Sequence, residues 1–225
     1  MKTKLLPRFL MAALLLFSLQ SLANNPNEII MNTDSFDTIK LLKPNTKGGK
    51  PLMKLISSRR SDRNFADKDL SLRQISEIVW VANGINRADG KRTIPSAMGI
   101  YPLDLYVFTK NAVYLYSPEE HILIPILRGD HRESTGCQVF VKEAPINLVF
   151  IADLSRYEGR VNRTKEAFYH SASLDVGHAT QNVYLYAAQE KLKAVVRAMA
   201  DENKLIKLLN LDENHRFIIA QTIGY

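Results

Sequence analysis

The sequence predicts an α+β domain, and three observations lead to this fold class. Strand-like runs are grouped together between residues 103 and 152, the longest helix-like stretch follows them, and one strand-like run comes last. Helices and strands do not alternate in the regular way that a parallel sheet built from βαβ units requires. The composition, 46% hydrophobic and 24% charged, is that of a packed globule and excludes a disordered chain or a polytopic membrane protein.

Residues 1–23 have the pattern of a secretory signal peptide. Three basic side chains precede a nine-residue apolar run, Phe9 to Phe17, and small residues follow up to Ala23. Such a run is too short to cross a bilayer, which takes about 20 residues, so an uncleaved anchor is the less favoured alternative. We expect an exported, periplasmic protein with no stable membrane anchor after cleavage.

The net charge gives no reason to expect a nucleic-acid partner. The formal charge is +7, but three of the 30 basic residues and none of the 23 acidic residues lie in the predicted signal peptide. The mature chain therefore carries 27 basic and 23 acidic residues, a formal charge of +4. This balance lacks the basic excess that is typical of nucleic-acid-binding domains.

Residues 24–50 are rich in Asn, Thr, Lys, Gly and Pro and predict an extended arm or linker. Residues 51–225 then form the main domain. It begins with a short predicted helix from Leu52 to Arg59. Ser71 is expected to cap the next helix, in which apolar residues recur at helical spacing, and Gly84 is expected to end it.

The predicted strands follow these two helices. The runs LDLYVF from Leu103, AVYLYS from Ala112 and ILIPIL from Ile122 predict an antiparallel meander. A continuous apolar run from Asn147 to Ala152 predicts a buried strand. The stretch between them, Arg128 to Lys142, is polar and is expected to be a loop.

One long helix and two shorter elements complete the predicted domain. The long helix runs from Lys165 to Leu192 and is apolar over so much of its circumference that it should be buried. Gly177 inside it costs about 1 kcal/mol relative to alanine, which predicts a close approach by another element, of this chain or of a second subunit. A helix from Asp201 to Leu209 and a strand from Phe217 to Ile223 follow.

Several classes of chemistry find no support in the sequence. GxSxG, HExxH, Walker and GxGxxG patterns are all missing from it. The one cysteine, Cys137, cannot form an internal disulfide, and a structural thiol is favoured over a nucleophile. His170 and His178 fall on one side of the long helix, but without a carboxylate at matched spacing we favour ordinary polar-face histidines over a metal site. Any redox chemistry therefore needs a bound cofactor.

The segment RRSDRNF, residues 59–65, is the most informative cluster. It places three arginines and a serine within five positions, where the first helix is predicted to end. Arginine can bind a phosphate group through two parallel hydrogen bonds, and serine adds a further donor. A solvated basic turn is the plainer alternative, and composition alone favours it.

Four segments together resemble a known family. RRSDRNF is similar to the opening signature RRSxRxF of the FMN-dependent nitroreductases. PSAMGIYPL from Pro95 resembles their PSAxNxQP or PSAGxLYP loop, and DVG from Asp175 with QNVYL from Gln181 resembles their core helix. AQTIGY from Ala220 resembles their closing strand, so the resemblance covers residues 52–225 in the expected order.

The resemblance implies a nitroreductase-like α+β fold and a homodimer that binds FMN between its subunits. Arg59, Ser61 and Arg63 would hold the phosphate, ribityl chain and pyrimidine edge of the flavin, with Arg60 beside them. Many relatives continue past the closing strand to a basic residue that reaches the phosphate. Here the arginines are expected to meet the phosphate alone, with a lower affinity for FMN.

The resemblance also assigns the other borders of the flavin. Pro95, Ser96 and Gly99 would border the ring from the partner chain, and the glycine at position 99 is shared with the azoline-dehydrogenase branch. A backbone N–H in the segment after the core helix would point at flavin N5. The contacts implied in that segment are Val196, Arg197 and Ala198. No catalytic side chain is implied, because the cofactor carries the electron transfer.

We therefore expect an FMN-dependent oxidoreductase of nitroreductase type that passes two electrons through flavin N5 to a nitro, quinone or similar acceptor. Its partners would be a small-molecule donor, NAD(P)H or another reductant, and a small-molecule acceptor. One alternative is a non-catalytic flavin-binding or interaction protein on the same fold. A periplasmic binding protein for phosphorylated ligands is a more distant one.

Overall fold

The computed structural model describes residues 36–225. The predicted signal peptide and the first residues of the predicted arm lie outside this part of the chain, so cleavage and export stay predictions. Among residues 36–225, no helix is both long enough and apolar enough to cross a membrane.

The described chain contains one antiparallel sheet with the strand order β1-β4-β3-β2-β5-β7-β6. Its strands are β1 (Ile39–Lys40), β2 (Leu103–Thr109), β3 (Ala112–Ser117), β4 (Ile122–Arg128), β5 (Ile146–Asp153), β6 (Lys193–Arg197) and β7 (His215–Gly224). The predicted meander is confirmed as β2, β3 and β4. The continuous apolar run is confirmed as β5, which lies between β2 and β7 and is buried on both faces.

The helices between residues 36 and 225 match the predicted ones closely. They are α1 (Leu52–Ser58), α2 (Leu72–Asn83), α3 (Phe140–Glu143), α4 (Lys165–Glu190) and α5 (Glu202–Leu208). The order of elements confirms the α+β prediction. Only α3 was not expected.

Helices cover both faces of the sheet. Along β2, Leu105 and Val107 point into the larger apolar cluster, which α2 and α4 complete. Tyr106 and Phe108 point the opposite way, into a smaller cluster that Leu205 of α5 helps to close. This alternation follows from the two-residue period of a strand. In the strand order, β6 is one edge of the sheet.

The predicted limits of α2 are confirmed by its capping contacts. The Ser71 hydroxyl accepts a hydrogen bond from the Gln74 backbone N–H at 3.2 Å, and the Gln74 side chain accepts one from the Ser71 N–H at 2.9 Å. At the other end, a Cβ on Gly84 would lie 2.2 Å from the Trp80 side chain. The end of the helix therefore needs glycine.

The long helix α4 has 26 residues and ends two residues earlier than predicted. Lys191 follows it in the left-handed conformation, with φ of 59°, and turns the chain into β6. The close approach predicted at Gly177 is not made within the described chain, because a Cβ built there meets no atom within 4 Å. The sequence analysis expected this approach from another element of the chain or from a second subunit. Only the second subunit is left as a source for it.

Residues 36–50 are extended, as predicted, and they lie on the domain. β1 pairs with β4, and further along the Leu42 N–H donates to the Ser76 hydroxyl of α2 at 3.0 Å. Lys50 then donates from Nζ to the Gln189 carbonyl at 2.8 Å. Because this bond satisfies a free carbonyl at the C-terminal end of α4, the arm connects the sheet edge to the long helix.

The prediction of a plain loop from Arg128 to Lys142 is wrong. A 3-10 turn, Arg132–Thr135, and the start of α3 lie within it. Arg132 is buried, pairs with Asp130 at 2.7 Å and donates to the Ala144 carbonyl at 2.7 Å. These bonds of a buried guanidinium fold a polar stretch that has no apolar period of its own.

Candidate functional site

Residues 59–65 run alongside the edge strand β6. The segment leaves α1 in an extended conformation, with Arg59 at ψ of 131°. The Asp62 backbone N–H donates to the Ala194 carbonyl at 3.0 Å, which ties the segment to the outer edge of β6. The basic segment is therefore an extended strap along the sheet.

Tyr184 of α4 is the centre of this region. Its hydroxyl oxygen lies 2.8 Å from Ser61 Oγ and accepts a hydrogen bond from the Val196 N–H at 2.8 Å. The Arg59 guanidinium lies over its ring, 5.0 Å from the centroid. One side chain of the core helix thus joins the basic segment to the edge strand. We call Arg59, Arg60, Ser61, Arg63 and Tyr184 the arginine cluster.

The cations of the arginine cluster are open to a ligand. Arg60, Ser61 and Arg63 are exposed, and Arg59 is half-buried. Arg60 has one distant ion pair, 3.8 Å from Asp62. Within residues 36–225, Arg63 makes no hydrogen bond or ion pair, so its guanidinium is free to bind an anion.

A cavity of about 330 Å³ opens beside the arginine cluster. Its charged lining consists of Arg60, Lys191 and Lys193 against one carboxylate, Asp62. Lys193 also donates from Nζ to the Asn64 carbonyl. Three cations against one anion suit a phosphate monoester, which carries about −1.5 to −2 at pH 7. Arg60, one of the residues that the resemblance implies, thus lines a cavity whose charge fits a phosphate group, together with two lysines that the sequence analysis missed.

The loop Pro95–Gly99 forms a second site on the other part of the molecule. Its Ser96 hydroxyl accepts a hydrogen bond from the Tyr101 N–H at 2.9 Å. The carboxylate of Asp175, on α4, is buried near Ser96 and Ala97 of this loop. Burial raises the pKa of Asp175 above its usual value. We call Pro95–Gly99 with Asp175 the loop cluster.

The two clusters do not meet within one chain. Tyr184 lies nine positions after Asp175 on α4, so the two side chains are about 13.5 Å apart along the axis and point to opposite sides. Met98 at the tip of the loop is exposed, as is Leu174 next to Asp175. Each chain therefore presents two separate partial sites.

The segment Val196–Ala198 is the one in which the resemblance implies a backbone N–H that points at flavin N5. The Val196 N–H is already bound by Tyr184. Ala198 follows the last residue of β6 and is the one exposed residue of the three.

The side chain of Arg197 is structural, so the cofactor contact that the resemblance implies at this residue could be made only by its backbone. Its side chain is 6% exposed and donates to Thr222 Oγ1 at 2.7 Å, to Asn147 Oδ1 at 2.8 Å and to both oxygens of Thr135. Burial lowers the pKa of Arg197 to about 10. The alternation of side chains along β6 places this guanidinium on a buried face of the sheet.

A third group of ionisable side chains is structural as well. Asp104, Asp153 and His215 bring ligand atoms within 4.8 Å of one another. Arg156 donates to Asp104 at 2.5 Å and to Asp153 at 3.1 Å, so a guanidinium lies where a metal ion would have to bind. The group is an internal ion-pair network.

Comparisons with known proteins agree with this fold. The model of the nitroreductase family matches residues 56–225. A protein named as a nitroreductase from Methanocaldococcus jannaschii is 31% identical over 187 residues, 79% of this chain and 92% of that protein. A crystal structure from Ralstonia eutropha, also described as a nitroreductase, is 34% identical with a TM-score of 0.79, covering 90% of this chain and 94% of that one.

A more distant structure shares the fold alone. The NADPH:FMN oxidoreductase of Vibrio harveyi, solved with NAD+, is 19% identical with a TM-score of 0.58. The match covers 77% of this chain and 68% of that one. The nitroreductase-like fold expected from the sequence is therefore confirmed.

The structural role of Arg197 can be tested by urea denaturation. We predict that Arg197→Lys lowers the free energy of unfolding by about 3 kcal/mol, because one ammonium cannot replace a guanidinium that holds several buried oxygens. Arg163→Lys, at an exposed position before α4, should change it by less than about 0.5 kcal/mol. Equal effects of the two substitutions would contradict the assignment.

Proposed function

Because the chain belongs to the nitroreductase family, we propose that it is an FMN-dependent oxidoreductase that passes two electrons to a nitro, quinone or similar acceptor. The observation that carries the proposal is the pair of partial sites on opposite sides of α4. One offers cations and an open cavity, and the other offers a fixed backbone loop with little charge. The cationic site is complementary to the phosphate end of a flavin mononucleotide, and the loop site is complementary to its ring.

The arginine cluster supports binding of the flavin phosphate. Arg63 is free, Arg60 is exposed, and Lys191 and Lys193 line the adjoining cavity. Arg59, stacked on Tyr184, has its orientation fixed before any ligand arrives. These residues would hold the phosphate and ribityl chain, with Ser61 as a further hydrogen-bonding group.

We propose that two copies of the chain complete the site as a homodimer. Pro95, Ser96 and Gly99 of one subunit would then border the flavin held by the arginine cluster of the other. Three surface features support this arrangement: Met98 and Leu174 are exposed apolar side chains, and the space over Gly177 is open. Exposed apolar side chains beside an unfilled helix face are typical of surfaces that pack against another chain.

These contacts assign different roles to the cofactor and to the protein. When bound, FMN supplies the redox chemistry. The chain's own residues bind and orient it: cations at the phosphate, the loop cluster at the ring, and the Ala198 N–H as a donor at the strand edge. No side chain of the chain needs to act as a general acid or base.

We also propose that the protein is exported, from the pattern of residues 1–23. The reductant of an exported protein would be NAD(P)H or another two-electron donor, provided that it reaches the flavin. Gly99 in place of asparagine would leave the ring edge less crowded, which is compatible with azoline-type substrates as well as nitro compounds and quinones.

One observation favours the alternative of a flavin-binding protein without turnover. The Val196 N–H, one of the expected donors to flavin N5, is bound to Tyr184. A flavin could then bind through its phosphate and ring while its reactive edge lacks one donor. Binding and turnover therefore need separate experiments.

Binding is tested by comparing FMN with riboflavin, which lacks the phosphate. Arg63→Ala should weaken FMN binding by about 1.5–3 kcal/mol, because charge-assisted hydrogen bonds are lost, and leave riboflavin binding nearly unchanged. The control Arg163→Ala, about 30 Å away along α4, should affect neither. Equal losses for the two flavins would show that Arg63 does not hold the phosphate.

Turnover is tested through the oxidative half-reaction. FMN-loaded protein reduced with dithionite should be reoxidised by a nitroaromatic compound or a quinone under anaerobic conditions, whatever the physiological donor is. Stopped-flow absorbance near 450 nm follows the reaction. A flavin that stays reduced for hours with every acceptor would rule out the enzyme and leave the flavin-binding alternative.

A further inference from the structure

Tyr101 closes the loop Pro95–Gly99 into a turn. Its backbone N–H donates to the Ser96 hydroxyl at 2.9 Å. Inside the turn, the Gly99 N–H donates to the Ser96 carbonyl at 3.0 Å. Because both bonds end on the same residue, a contact that fixes Tyr101 also fixes the turn.

The backbone of the turn has to be held in place. Met98 has φ of 56° and Tyr101 has φ of 52°, both in the left-handed region that non-glycine residues seldom adopt. Strained residues of this kind persist only where the surrounding structure holds them. Met98 is exposed, so packing of its own side chain within the described chain does not supply that support. The support has to act on other residues of the turn.

Arg92 contacts the side chain of Tyr101. Its guanidinium carbon lies 5.0 Å from the centroid of the Tyr101 ring, and its backbone N–H donates to the Tyr101 hydroxyl at 3.3 Å. The guanidinium itself donates to Asn83 Oδ1 at 3.1 Å and to Glu119 at 3.2 Å. Asn83 ends α2 and donates to the Leu103 carbonyl at the start of β2. Arg92 therefore connects the ring to regular structure.

Arg156 contacts the backbone of the same residue. It donates to the Tyr101 carbonyl at 3.1 Å, while its other nitrogens donate to Asp104 at 2.5 Å and to Asp153 at 3.1 Å. These two carboxylates belong to the internal ion-pair network that also contains His215. The network therefore fixes the guanidinium that meets the end of the loop.

Two arginines at one tyrosine are a costly way to pack a loop. Arg92 is buried, and burial lowers the pKa of Arg92 despite the ion pair with Glu119. The nearby Arg156 charge also lowers it. Replacing a buried ion pair by apolar side chains of similar volume is often neutral or stabilising. Charges kept at this cost beside a strained turn indicate a role in the geometry of that turn.

We propose that Arg92 and Arg156 are positioning residues, which act through Tyr101 to hold Pro95–Gly99 in the conformation in which the loop borders a flavin ring. The identity of the ligand rests on the proposed function, but the contacts with Tyr101 do not. Arg92 fixes the side chain and Arg156 fixes the carbonyl, so the two arginines act on different atoms of one residue. Neither arginine needs to touch the flavin.

The first experiment needs no flavin. Amide hydrogen exchange of residues 99–101, whose N–H groups donate within the turn, is measured in wild type, Arg92→Lys and Arg156→Lys. Exchange should be about fivefold faster in each variant, because one ammonium cannot replace a guanidinium that binds several partners. The amides of β5 should be unaffected. Unchanged exchange in either variant would overturn the role of that arginine, and an equal increase in β5 would mean that the variant acts on the whole fold and would overturn it too.

Arg160→Lys is the matched control for the two substitutions. Arg160 is exposed, and its side chain makes no hydrogen bond or ion pair within residues 36–225. Exchange in the turn should therefore equal that of wild type. Faster exchange in Arg160→Lys, as large as in Arg156→Lys, would show that the effect does not depend on the contact with Tyr101 and would overturn the proposal.

The second experiment changes Tyr101 itself. Tyr101→Phe keeps the ring and the carbonyl, so exchange in the turn and the Kd for FMN should stay within about twofold of wild type. Tyr101→Leu removes the ring and should raise both by about fivefold. Arg92→Lys should add little in the Tyr101→Leu background, because Arg92 acts through the ring. Additive effects, or equal effects of the two substitutions at Tyr101, would overturn the proposal.

Riboflavin separates this role from the phosphate contacts. A loop that borders the ring should affect both flavins, so Arg156→Lys should raise the Kd values of FMN and riboflavin by the same factor. Arg63→Ala, in contrast, is expected to weaken FMN alone. An effect of Arg156→Lys on FMN alone would mean that Arg156 acts on the phosphate and would overturn its positioning role.

The positioning role and the proposed function fail in different ways. Wild-type protein that binds neither flavin, while the turn still exchanges faster in Arg92→Lys and Arg156→Lys, would overturn the proposed function and support the contacts with Tyr101. Wild-type protein that binds FMN, with the Kd unchanged in both variants, would overturn the positioning role and support the proposed function.

Discussion

The geometry of α4 is the constraint on which the candidate site depends. A helix of 26 residues is about 39 Å long, and side chains nine positions apart point to opposite sides. Tyr184 therefore contacts the basic segment on one side, while Asp175 is buried near the loop Pro95–Gly99 on the other. Because a rigid buried helix keeps these two sides apart, we propose that a flavin in contact with both lies between two chains.

The edge strand β6 gives the arginine cluster its fixed frame. Asp62 binds the strand at Ala194, and Tyr184 binds it at Val196. Behind the strand, the buried Arg197 joins β5, β7 and the turn at Thr135. The outward-facing backbone groups of β6 at Ala194 and Val196 thus secure the basic segment. A site built on anchored elements of this kind is preorganised for an anionic ligand.

The sequence could predict the elements whose signals are local. The alternating runs of β2 to β4, the Ser71 cap of α2 and the long helix all depend on neighbouring residues, and the resemblance located both clusters. It could not predict that Tyr184 binds Ser61, because 123 positions separate them. The burial of Arg197 depends on Asn147 and Thr222, and the turn within residues 128–142 depends on Arg132. Such contacts exist only once the sheet has formed.

The central claim is that one flavin site uses residues of two chains, and mixed dimers test it most directly. Arg59→Ala with Arg63→Ala in one chain, and Ser96→Ala with Asp175→Ala in the other, should each abolish tight FMN binding. When the two variants are co-expressed and purified together, random pairing should restore tight FMN binding at about a quarter of the sites, because every mixed dimer holds one site with both halves intact. FMN binding that stays at the level of the separate variants would contradict the claim and place the whole site within a single chain.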